Sequence, residues 1–258
     1  EGSAKELGEK YFGEIKKRQE VAPLDVQNVT LNETKRLYHE DNFATAPQLN
    51  MVWPTVEQYT DDAYALDILG EILSDGKNAP LYRVLVEDME LASQPYAWNG
   101  SDQIAGKFRI SVTANSGVDL DSVETGITKA FALFEEEGVK ETDIERIKAG
   151  LETDFYNGIS SVLGKSFQLA QYDVFTGNPG FIEKDIENIK AVTAEDVTRV
   201  YDKYIKGKPF VLTSFVPKGQ MELIAENSEK AEVVEEEITE NVETEIVDTD
   251  VEIEKTPS

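Results

Sequence analysis

The chain has 258 residues, 40% of them hydrophobic, enough to bury a substantial core in one large domain or two small ones. Acidic residues outnumber basic ones 51 to 25 and the formal net charge is -26, which argues against nucleic acid as a partner, since a phosphate backbone needs clustered Lys and Arg. There is no cysteine, so disulfides, thiolate metal sites and cysteine nucleophiles are excluded, and the apolar runs fall far short of the roughly 20 residues of a membrane span.

The opening Glu1-Gly-Ser-Ala-Lys-Glu-Leu7 has neither an initiator Met nor an apolar signal core and reads as internal to a longer chain. Leu7, Tyr11 and Ile15 share one helical face, and Gly13 weakens the end of that helix. Pro23 opens an irregular connector. Two strands follow, Lys35–His39 and Gln48–Trp53, the second ended by Pro54.

From the N-cap Thr60, apolar residues recur at helical spacing from Ala63 to Leu73 until Ser74-Asp-Gly76 breaks the pattern. A second helix starts near Pro80, with Leu81, Val84 and Leu85 inward. Ser93–Trp98 and Lys107–Ala114 alternate as a hairpin, joined by a polar turn around Asn99-Gly-Ser-Asp102.

Leu120 to Phe134 form an apolar stripe that stops at Gly138, and Thr142 with Glu145 predicts a capping box for the next helix, which runs through Ile147, Leu151 and Phe155. Further helices are signalled over 167–174 and 181–189, and a capping box of Thr193 with Asp196 leads into Val197, Val200 and Tyr204. Pro209–Val216 closes the domain as a strand.

This order predicts an α+β fold, helices layered on a largely antiparallel sheet. Residues 1–20 are expected to be the end of an upstream domain and a connector, 21–222 the α+β domain, and 223–258 an acidic flexible linker or tail. From Glu226 to Ser258 there are thirteen Asp and Glu against Lys230 and Lys255. Within that tail, Asp250-Val-Glu-Ile-Glu254 has the alternation of a strand that could join a partner sheet.

The chemistry is sparse. His39, the sole histidine, precedes Glu40, but H-E-x-x-H needs a histidine at 43 and H-x-x-E-H needs Glu at 42 and His at 43; the sequence has Asn42 and Phe43. A histidine on an exposed sheet face is the expected reading. No G-x-S-x-G surrounds any serine, and Asp75-Gly-Lys77 lacks phosphate-loop spacing. Asn28-Val-Thr30, Asn32-Glu-Thr34 and Asn99-Gly-Ser101 fit the glycosylation pattern, which matters only in a eukaryotic secretory protein. No catalytic, cofactor-binding or metal-binding residue is assigned.

Three stretches carry a family resemblance. Leu49-Asn-Met-Val-Trp-Pro54 with the segment from Asp62 through Ser74-Asp-Gly-Lys-Asn-Ala-Pro80 to Glu87 resembles a strand, helix and glycine-containing turn of the insulinase (pitrilysin) family of zinc metallopeptidases. Leu91-Ala-Ser93 is similar to the lead into that family's next strand, and Asp173-Val-Phe-Thr-Gly-Asn-Pro-Gly180 with Ile189-Lys-Ala-Val-Thr-Ala-Glu-Asp-Val197 resembles the end of the same domain. The resemblance runs from about Lys5 to Pro217.

It implies related α+β domains enclosing a peptide, with zinc held by H-x-x-E-H and a further Glu in a domain upstream of Glu1. The family's substrate-holding Arg, and the Tyr seven residues later, fall here at Val86 and Ser93, which supply neither a guanidinium nor a phenol. The chain therefore resembles the non-catalytic domain that follows the zinc-binding domain. It is expected to line the substrate chamber, orient the catalytic domain and be inactive alone, with catalytic and C-terminal domains of the same protein and a peptide as partners, and neither nucleic acid nor membrane. The alternative is a scaffold or partner subunit of a catalytically silent relative. The compartment stays open; bacterial members point toward the periplasm.

Overall fold

A computed structural model describes residues 2–16, 22, 25, 26 and 29–232. The expected connector at Pro23, the Asn28 motif and the tail beyond 232 lie outside the described residues.

Helix α1 (Gly2–Phe12) buries none of its residues, leaving Leu7, Tyr11 and Phe12 exposed, as is Ile15 beyond its end. After it come β1 (Lys35–Asp41), β2 (Gln48–Thr55), α2 (Asp61–Ser74) and a short α3 (Pro80–Tyr82) that continues as a π-helical turn over Arg83–Asp88. The hairpin β3 (Ala92–Ser101) and β4 (Gly106–Ala114) precedes five helices: α4 (Leu120–Glu137), α5 (Glu141–Gly158), α6 (Val162–Thr176), α7 (Ile182–Ala191) and α8 (Ala194–Tyr204). Strand β5 (Val211–Pro217), a 3-10 turn at Met221–Leu223 and a two-residue β6 (Glu229–Lys230) end the described chain.

The strands form one sheet in the order β3-β4-β2-β5-β1-β6. Strands β3, β4, β2 and β5 pair antiparallel in turn, whereas β1 runs parallel to both β5 and β6. The fold is α+β with a largely antiparallel sheet, as predicted. Strand β5, from the far end of the chain, fills the gap between β1 and β2.

One sheet face meets the helices. Leu49, Met51 and Trp53 of β2, Phe108, Ile110 and Val112 of β4, and Leu212 and Val216 of β5 are buried there. They pack with Leu66, Leu69 and Leu73 of α2, Val123, Ile127 and Phe134 of α4, and Val197 and Val200 of α8, because each helix places its apolar residues three and four apart. Gly70 lets α2 approach β3 closely: a Cβ there would lie 2.9 Å from the Ala97 carbonyl oxygen and 3.0 Å from Trp98 Cα. The Arg36 guanidinium of β1 forks onto Glu124 of α4 at 2.9 and 2.6 Å, fixing the parallel end of the sheet to the helices.

Four local expectations are corrected. Pro54 does not end β2; it pairs with Lys107 within the strand. Pairing of β2 with β5 stops at Val52, so Pro54 sits where β2 has a single neighbour and a missing N–H is tolerated. The hairpin turn lies at Asp102–Ala105 instead of 99–102, with Asp102 N–H donating to Ala105 O at 2.8 Å. Asn99 stays in the ladder opposite Phe108 because its side chain is anchored to Thr55 and Asp67.

The capping box at Thr142 and Glu145 is absent. Helix α5 starts two residues earlier, with Lys140 as a cap that makes no side-chain bond, since Gly138 turns the chain at φ +66° and Val139 packs on the core. Finally, residues 223–232, expected to begin a flexible tail, are fastened to the domain. Leu223 and Ala225 are buried, the buried Ser214 hydroxyl accepts from Ala225 N–H, and Ala231 N–H donates to Tyr38 O at 2.9 Å.

Candidate functional site

The sheet face turned away from the helices is left largely uncovered. Strand alternation puts Gln48, Asn50 and Val52 of β2 on it. The register then aligns Val52 with Arg109 and Trp98, and Asn50 with Ser111, Tyr96 and Thr213. Tyr96 is 57% and Trp98 39% exposed, while Asn50 is 1% exposed beneath its neighbours.

Asn50 is buried with its side-chain oxygen doubly satisfied. Its Oδ1 accepts from Arg109 Nε at 3.1 Å and Nη2 at 2.6 Å, while the Arg109 guanidinium lies 5.2 Å from the Trp98 ring centroid. The guanidinium is thus held between an amide oxygen and an aromatic ring, a combination suited to arginine's planar fork. Among the described residues it has no carboxylate partner, so its charge remains available to a carbonyl or carboxylate of a ligand. A row of Gln48, Ser111 and Thr113 extends this polar surface: Gln48 Nε2 is 3.4 Å from Ser111 Oγ and 3.3 Å from Thr113 Oγ1.

His39 lies on this same face, opposite Phe215 and edge-on to its ring at 6.2 Å. It is half-buried rather than freely exposed. Among the described residues no three His, Asp or Glu side chains converge as metal ligands. Val86 is half-buried on the π-helical turn and Ser93 is exposed on β3, and neither supplies a guanidinium or a phenol.

On the helix side, two carboxyls of α2 have opposite environments. Burial works to raise the Asp62 carboxyl, but bonds from Lys203 (2.7 Å), Tyr204 (2.6 Å) and Arg199 outweigh it and hold the group down at about 2. Burial pushes Asp67 up to about 7 against its 3.0 Å bond from Asn99 Nδ2, with the charges of Asp185 and Glu71 adding to the rise. Nearby, the Asp185 carboxylate accepts from the Tyr64 and Tyr172 hydroxyls, both at 2.6 Å. Burial first, then Asp185, drives both phenols well above the ordinary tyrosine range.

Sequence patterning had placed Asn50, Trp98 and Arg109 on strands without giving them a role. The signal that finds them is the run Lys107, Arg109, Ser111, Thr113, polar at every second position, paired with outward aromatics at 96 and 98.

Fold and site together define an α+β domain with an open polar and aromatic sheet face. The chain belongs to the peptidase M16 inactive domain family, whose model matches residues 1–151; this is the insulinase-type family that the three sequence stretches resemble. The zinc protease PqqE of Helicobacter pylori is 23% identical over 145 residues, covering 56% of this chain and 32% of that protein. The chain thus spans about a third of this curated relative.

A crystal structure of a protease from Helicobacter pylori superposes with a TM-score of 0.70 at 19% identity, over 84% of this chain and 52% of that one. The peptidase M16 inactive domain from Pseudomonas fluorescens gives 0.59 at 18% identity, over 76% and 47%. The periplasmic protease PqqL from Escherichia coli gives 0.60 at 14% identity, over 84% and 24%. At these identities the structures establish the shared fold.

Proposed function

We propose that this chain is the non-catalytic domain of a multidomain zinc-dependent endopeptidase, and that its open sheet face lines the chamber in which a polypeptide substrate is held. The observation that supports this reading is Arg109, bonded to Asn50 and set over the Trp98 ring, with no acidic partner and no covering helix among the described residues. A guanidinium fixed in this way is preorganised to donate to a peptide carbonyl or terminal carboxylate, and the exposed Tyr96 and Trp98 rings supply apolar contact. Zinc and its activated water belong, on this reading, to an upstream domain of the parent protein, which this domain helps to orient.

The test is made in the parent protease. Arg109→Ala removes a binding contact remote from the metal, so KM should rise about tenfold with kcat within about twofold of the unaltered enzyme. The chain alone should bind no stoichiometric zinc and cleave no peptide. An unchanged KM, or peptidase activity in the purified chain, would overturn the reading; a parent without the H-x-x-E-H motif would instead support a scaffold role.

A further inference from the structure

A cavity of about 260 Å³ lies between α2 and the layer of α5, α6 and α7, on the helix-covered side of the sheet. Two carboxyls line it, and neither has a cationic partner among the described residues. Both oxygens of Asp185, which is 6% exposed, are taken by tyrosine hydroxyls. Asp67 Oδ1 accepts from the neutral amide of Asn99, while no hydrogen bond within the described chain reaches its Oδ2.

Two other partly buried carboxyls are instead matched with cations: Asp62 with Arg199 and Lys203, Glu124 with Arg36. The remaining wall is mixed. Gln168 and the Tyr59 and Phe155 rings contribute to it, together with the apolar side chains of Ile68, Leu151 and Ile189. A volume of this size takes a four-carbon stem and an ammonium head with room for a few waters of about 30 Å³ each.

We propose that this cavity is a binding site for a primary alkylammonium group, with the ammonium donating to Asp67 Oδ2 and facing the Asp185 charge while the stem lies along the apolar side chains. Aromatic rings beside two carboxylates can favour such a cation twice, through charge and, where a ring face is presented, through the ring quadrupole. None of the residues lining the cavity belongs to the Arg109 face, so the inference does not rest on the chamber-lining reading.

The ligand competes with a proton. Burial raises the Asp67 carboxyl to about 7. Asp185 from α7 and Glu71 from α2 push the same way, Asn99 from β3 opposes, and Arg146 and Asp154 of α5 act on Glu71 with opposite signs. A bound cation displaces that proton, so affinity should rise with pH through this range.

The experiment is calorimetric titration of the full chain with n-butylammonium, and with a lysine-containing peptide beside its Nε-acetylated form. Binding at about pH 8 should weaken about tenfold near pH 6 and fall at least tenfold in Asp67→Asn, with the circular dichroism melt showing that the variant is folded. Tyr59→Leu, at the cavity wall, provides a second variant and should lose binding several-fold. Binding of the free amine alone assigns a small-molecule ligand, and binding of the unmodified peptide as well assigns a lysine side chain; both uphold the site. No binding at either pH, equal binding of 1-butanol or the acetylated peptide, or full affinity in folded Asp67→Asn would overturn it. Arg109→Ala should leave this affinity unchanged, which separates the two tests.

Discussion

Asp62 and Asp67 stand five residues apart on α2, yet their surroundings give stability opposite dependences on pH. The Asp62 carboxyl, held at about 2, is below its unfolded value near 3.9, so its contribution is present above about pH 4 and lost as pH falls toward 2. Asp67, raised to about 7, contributes below about pH 4 and loses that contribution as pH rises through 7. Asp62→Asn should therefore cost roughly 2 kcal/mol near pH 7, with the loss disappearing toward pH 2. Asp67→Asn should leave stability near pH 4 almost unchanged and remove a decline on the order of 2 kcal/mol between about pH 5 and 8. Urea unfolding across pH checks both, and parallel pH profiles for all three proteins would contradict both assignments. None of this was legible in the sequence, where the two aspartates look alike: the difference comes from Arg199, Lys203 and Asn99, residues 32 to 141 positions distant that only the fold brings near.

Elements were more legible than contacts. Helix α2, with Thr60 as its cap, and helix α8, with the Thr193–Asp196 capping box, begin where their local chemistry places them, because a cap needs only neighbouring backbone N–H groups. The expectation at Thr142 failed because a glycine turn and the packing of Val139 set the start of α5 before a side-chain cap could. Gly70 illustrates what period alone misses. In a helix interior Gly→Ala ordinarily gains up to about 1 kcal/mol, but here the new methyl meets the backbone of β3 at 2.9–3.0 Å, and backbone cannot yield as a side chain does. Overpacking of that kind costs about 1–3 kcal/mol. Gly70→Ala should thus be destabilising overall, and by displacing Trp98 it should also shift the tryptophan fluorescence of the native protein. A stabilised variant with an unchanged spectrum would mean that α2 and β3 have more clearance than the structure shows.

At the scale of the whole molecule, the α+β class was legible from the order of elements, whereas the sheet order was not. Periodicity reports which residues face the core but not which strand sits beside which. The decisive feature is β5: it pairs with β2 over Gln48–Val52 and with all seven residues of β1, so among the described residues the first strand joins β2, β4 and β3 only through a strand made some 170 residues later. Residues 1–151, the part matched by the family model, contain β1 to β4 but cannot connect β1 to β2. Without β5 the central sheet loses Leu212 and Val216 from the core and leaves facing rows of unpaired N–H and C=O groups on β1 and β2. A chain ending at residue 208 should therefore show no cooperative thermal transition and should bind a hydrophobic dye, whereas residues 1–232, which keep every described element, should melt in a single step. Cooperative melting of the 1–208 chain near the same temperature would mean that β1 closes on β2 directly, and the observed strand order would then not be what holds the domain together.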